Sequence, residues 1–139
     1  MTRISVVKDD PDILETMADI LGWLEGHDVA GFDGGETTVE QLIESRPELL
    51  IVDLRLAGDQ ENGWEMLKLT RSTPELRDVP LIVCSADVIS LRDRSADLAR
   101  LGNVHILEMP FSIEDFEAVI ERALDGTAPS DRRPPPPPH

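Results

Sequence analysis

Short apolar runs alternate with segments of helical spacing along most of the chain, and this alternation restricts the fold more than any other feature. Residues 4–7, 48–52, 81–84 and 104–107 are too short for helices and nearly free of charge, as strands covered on both faces should be. Residues 28–32 supply a fifth, weaker strand, with Val29 and Phe32 as its apolar positions. Between them, Ile13, Leu14, Met17, Ile20, Leu21 and Leu24 recur in steps of one, three and four and draw one apolar helical stripe. Asp10 is placed to cap that helix, Pro11 suits its first turn, and Gly26 is a natural stop. Val39, Leu42 and Ile43 mark a second helix ended by Pro47, and Trp64, Leu67 and Thr70 a third. Residues 88–101, stopped by Gly102, read as a fourth, and Ile113, Phe116, Val119, Ile120 and Leu124 mark a fifth. Gly34-Gly35 and residues 57–63 read as loops. Strands alternating with helices predict an α/β fold: a doubly wound, open parallel sheet of five strands with five helices on its two faces. Ligands in such folds bind at the carboxyl ends of the strands, near the point where strand order reverses.

Several functions are disfavoured by composition. Asp and Glu number 28 against 13 Lys and Arg, a formal net charge of −15, so a nucleic acid would be repelled. No run approaches the roughly 20 apolar residues that span a bilayer, and the start lacks a signal-peptide layout, so no membrane partner and a cytoplasmic location are expected. The single cysteine, Cys84, can form neither an internal disulfide nor a zinc cluster and reads as a small buried apolar residue. Residues 1–125 read as one domain, and 126–139, with five consecutive prolines, as a disordered Pro-rich tail.

The chemistry should lie at the strand ends. Asp53 closes the third strand, Asp9 and Asp10 follow the first, Ser85 follows the fourth, and Met109-Pro110 follows the fifth. Clustered carboxylates repel one another unless a cation sits among them, and an oxygen cage suits magnesium. A carboxylate beside such a cation can act as a nucleophile toward phosphorus. Asp10 also has the simpler reading of a helix cap, and Ser85 that of a turn cap.

Four stretches together resemble the receiver domains of two-component response regulators, the CheY-like superfamily. Val6-Val7-Lys8-Asp9-Asp10-Pro11-Asp12-Ile13 is similar to the family's first strand and acidic pocket. Glu48-Leu49-Leu50-Ile51-Val52-Asp53-Leu54-Arg55-Leu56-Ala57-Gly58 resembles the acceptor strand and loop. Val79-Pro80-Leu81-Ile82-Val83-Cys84-Ser85-Ala86 resembles the fourth strand with its switch hydroxyl. His105-Ile106-Leu107-Glu108-Met109-Pro110-Phe111 resembles the fifth strand and its Lys-Pro-Phe signature. The resemblance implies a flavodoxin-like sheet in strand order 2-1-3-4-5 and a stand-alone signalling module rather than an enzyme. Asp53 would accept a phosphoryl group from a histidine kinase or phosphotransfer protein. Asp9, Asp53 and the Arg55 carbonyl would hold magnesium, and Ser85 would bind the phosphoryl group. A downstream effector would dock on the fourth and fifth helices, and a homodimer is left open.

This chain departs from the family pattern at three pocket positions. Lys8 stands where the family has the first acid of a pair, Met109 where it has a lysine before a cis proline, and Ile106 where it has a switch aromatic. Two readings follow. Lys8 could turn into the pocket, replace the missing cation and pair with Asp53, weakening magnesium and making a phosphorylation-independent pseudo-receiver. Alternatively Lys8 could swing to solvent on its flexible stem, leaving the metal site in place. An aspartyl-phosphate hydrolase is disfavoured by Arg55, where such enzymes carry a second acid, and a flavin-binding flavodoxin by the lack of a stacking loop.

Overall fold

The computed structural model describes residues 3–8, 10–24, 26–33, 39–54 and 60–125. Five parallel strands, β1 (Arg3–Lys8), β2 (Asp28–Asp33), β3 (Leu49–Asp53), β4 (Leu81–Ser85) and β5 (Val104–Glu108), form one sheet in the order β2-β1-β3-β4-β5. The expected class and strand order are both observed, including the weak second strand, which pairs with β1 along its whole length.

Alternation along the strands divides the core into two. Leu50, Val52, Leu81, Val83 and Val104 face one side, where Leu42, Met66, Leu67, Leu91 and Leu98 cover them. Ile4, Val6, Leu49, Ile51, Ile82 and Leu107 face the other, under Met17, Leu21, Phe116, Val119 and Ile120. Each fully buried Leu, Ile or Phe contributes about 1.5–3 kcal/mol of transfer free energy, so both faces of the sheet are held mainly by this burial.

The helices follow the sequence with three differences. α1 (Pro11–Asp19) is capped by Asp10, whose carboxylate accepts the amides of Asp12 and Ile13 at 3.0 and 3.3 Å. Its apolar stripe then continues not as α-helix but as a π-helical turn, Ile20–Leu24. α2 (Val39–Ser45) ends just before Pro47, as expected. α3 (Gln60–Ser72) starts three residues before Gly63, which therefore lies inside the helix and not in a loop. A Cβ at Gly63 would fall 2.0 Å from the Leu54 carbonyl oxygen and 2.5 Å from that of Asp53. The glycine is there because helix backbone abuts the end of β3. The expected fourth helix is broken at Arg94 into α4 (Val88–Asp93) and α5 (Ser95–Leu101), giving six α-helices among the described residues. Arg94 leaves helical geometry, with ψ at 6°, and lays its guanidinium over the Trp64 ring at 5.0 Å. Leu91 and Leu98 still bury in the same core on either side of the break. α6 (Ile113–Leu124), capped by Ser112 through the Asp115 amide, closes the fold.

One polar side chain fastens several connections at once. Arg71, at the end of α3, donates to the carbonyls of Leu76, Val79, Leu101, Gly102 and Asn103 at 2.8–3.4 Å. It thereby ties the loop after α3 to the turn between α5 and β5. Nothing in its sequence context singled this residue out.

Candidate functional site

Strand order reverses between β1 and β3, and the register there fixes which residues meet. Val7 lies opposite Val52, so the next residues, Lys8 and Asp53, leave the sheet side by side at its carboxyl edge. Their side chains join: Lys8 Nζ donates to Asp53 Oδ2 at 2.5 Å. The Lys8 side chain is 4% exposed and that of Asp53 10%, so this is a buried ion pair and not a surface contact. A buried carboxylate without a partner is costly, and so is a buried ammonium; each here offsets the desolvation of the other.

Met109 completes the pocket floor. Its amide donates to the Ser85 carbonyl at 3.0 Å, and its peptide bond to Pro110 is cis. Met109 Sδ lies 3.6 Å from Lys8 Nζ. The ammonium therefore sits between a carboxylate and a thioether, a strong and a weak acceptor. Cys84, opposite Asp53 on β4, lies beneath them; burial pushes its thiol up to about 12, with Lys8 pulling against that rise and Asp53 adding to it.

The other candidate residues fare differently. Ser85 is buried, and its Oγ accepts the amide of Asp87 at 3.0 Å, so the hydroxyl braces the turn into α4. Asp87 in turn caps α4 through the Ser90 amide and hydroxyl. Ile106 is 39% exposed on β5, on the outer surface. Asp10 caps α1. Asp9 and Arg55 lie outside the described residues, as do residues 55–59 of the acceptor loop and the tail 126–139. Sequence reasoning did not find the methionine sulfur at the ammonium; it treated Met109 only as a lost charge.

In the described part of the pocket, the Lys8 ammonium competes with any divalent cation for Asp53 Oδ2. A metal ligated by Asp53 Oδ2 would have to share that oxygen with an ammonium at hydrogen-bond range, and like charges at such a separation repel strongly. Among the described residues no group of three or more His, Cys, Asp or Glu is placed to hold a metal.

The model of the response regulator receiver domain matches residues 4–121. The chain belongs to the response regulator receiver family. Over 122 residues the receiver is 28% identical to the nitrogen assimilation regulatory protein NtrX of Azorhizobium caulinodans, covering 88% of this chain but only 26% of that one. It thus spans about a quarter of this curated relative. A sensor protein from Polaromonas sp. JS666 superposes with a TM-score of 0.76 at 25% identity, over 91% of this receiver and 98% of that chain. The receiver domain of the sensor histidine kinase PA1611 from Pseudomonas aeruginosa PAO1, which holds a magnesium ion in its active-site cleft, superposes at 0.72 with 23% identity, covering 89% and 98% of the two chains. As a receiver, the chain is a signalling module of two-component systems. No helix among its described residues is long and apolar enough to cross a membrane.

Proposed function

We propose that this receiver signals through protein–protein contacts with its acceptor pocket held neutral by Lys8, so that Asp53 does not take up a phosphoryl group by a metal-assisted route. The buried Lys8–Asp53 pair carries this reading. A carboxylate whose oxygen is bound by an ammonium is a weaker nucleophile, and the same ammonium repels the magnesium that sits in the cleft of the PA1611 receiver. The pocket keeps a cation, but one supplied by β1 in place of a metal or a lysine after β5.

A partner surface is available beside the pocket. Ile89 on α4, Ile106 on β5 and Ile113 on α6 are 73%, 39% and 43% exposed, and the Arg92–Glu108 pair at 3.7 Å bridges α4 to β5. The expected fourth and fifth helices correspond to α4–α5 and α6. A histidine kinase or phosphotransfer protein and a downstream effector are the partner classes that suit this surface, and the whole chain's formal net charge of −15 disfavours nucleic acid. Residues 126–139 are read as a tail separable from the domain.

Treatment with acetyl phosphate, and separately with a phosphorylated histidine kinase, each with magnesium, followed by intact-mass measurement, tests the proposal. The native protein should gain no phosphoryl group, and Lys8→Asp should gain one at Asp53 only when magnesium is present. Labelling of Asp53 in the native protein would overturn it. The receiver would then be a phosphorelay acceptor, with Asp53 as nucleophile and Lys8 gripping the phosphoryl group.

A further inference from the structure

The thioether against the Lys8 ammonium has a chemistry of its own. Three methionines lie among the described residues: Met17 is fully buried, Met66 is 7% exposed, and Met109 is partly exposed at the pocket. Met109 Sδ lies 3.6 Å from the Lys8 ammonium. A thioether sulfur is a weak hydrogen-bond acceptor, whereas a sulfoxide oxygen is a strong one. The same ammonium is already hydrogen-bonded to Asp53.

We propose that Met109 is a reversible oxidation site that regulates the Lys8–Asp53 pair. This rests on the proposed neutral pocket and adds a way to unsettle it. The oxidant is a peroxide. The sulfur lone pair attacks one peroxide oxygen, the O–O bond breaks and an S–O bond forms, and the departing hydroxide takes the proton from that sulfur-bound oxygen to leave as water, giving the sulfoxide. Sulfur is oxidised by two electrons and the peroxide is reduced by two. Rotation about the flexible Met109 side chain then turns the new oxygen toward Lys8. Lys8 divides its hydrogen bonds between the sulfoxide and Asp53, and its hold on the carboxylate weakens. Cys84 does not compete for the oxidant, because burial keeps it in the unreactive thiol form.

Hydrogen peroxide, applied to the full chain, tests this with two readouts. Peptide mass mapping should show Met109 gaining one oxygen several-fold faster than Met17 and Met66. The Lys8 ammonium signal in nitrogen-15 NMR should shift as that oxygen appears and return after treatment with methionine sulfoxide reductases. Met109→Leu should abolish the shift. Met109→Gln, which carries a strong neutral acceptor at similar length, should reproduce it without peroxide. Oxidation of Met109 no faster than that of Met17, or a Lys8 signal unmoved by it, would overturn the proposal. Both readouts report on Met109 and Lys8 directly. Labelling of the reduced protein by acetyl phosphate would count against the neutral pocket alone, and a silent Lys8 signal in an unlabelled protein against the oxidation switch alone.

Discussion

Replacing Lys8 by methionine removes the ammonium but keeps the length and most of the volume of the side chain. At the observed separation of 2.5 Å, the gross attraction in the pair is on the order of 6 kcal/mol at an effective dielectric of about 20. Desolvation of the two groups takes back most of it, so the net worth of the pair is small. Breaking it is another matter. Lys8→Met leaves the Asp53 carboxylate buried without its cation, and removal of one partner from a buried pair typically costs about 3–5 kcal/mol. For a domain of this size that lowers Tm by on the order of 10–20 °C. Asp53→Leu should cost a similar amount for the converse reason. The double variant Lys8→Met/Asp53→Leu removes both charges and should lie within about 1–2 kcal/mol of the native protein. Urea denaturation of all four proteins at pH 7 completes the cycle. A loss below about 1 kcal/mol in Lys8→Met, or simple additivity in the double variant, would mean that Lys8 spends its time in solvent and that the pocket is not neutralised from within.

Three further outcomes follow from the packing. Gly63→Ala should destabilise by at least about 2 kcal/mol in chemical denaturation, although alanine favours an ordinary helix by up to about 1 kcal/mol, because the added Cβ would strike the Leu54 carbonyl; a stabilised variant would refute the close approach. Arg71→Ala should lose about 2–4 kcal/mol by leaving five backbone carbonyls without their shared donor, and Arg71→Lys should recover only part of it, since an ammonium cannot span them; equal Tm values for lysine and arginine would contradict this. Burial, aided by Arg122, holds the His105 imidazole below its usual range, so the unfolded chain binds the extra proton first and stability falls as pH drops below about 6.5. His105→Leu should flatten that acid-side decline in Tm, and an unchanged pH profile would show that His105 does not set it.

The strand order came from the resemblance to receiver domains; the alternation of apolar runs with helical stripes was enough to determine the parallel sheet and the position of Asp53 at a strand end. These depend on local periodicity and on chain-wide rules of handedness that every residue of an element reports together. The Asp10 cap was legible for the same reason, because a cap and its amides lie within three residues of one another. What the sequence left open was the direction of Lys8, for which pocket and solvent were both consistent readings of a long flexible side chain. The pairing of β1 with β3 decided it, by setting Lys8 beside Asp53 across 45 positions of sequence. Gly63 was misread as a loop glycine because its requirement is a contact with Leu54, not a backbone angle. The break at Arg94 and the carbonyl cluster around Arg71 escaped for a like cause. Each depends on a group distant in sequence, Trp64 for the first and the turn after α5 for the second, and only the folded chain brings those groups within reach.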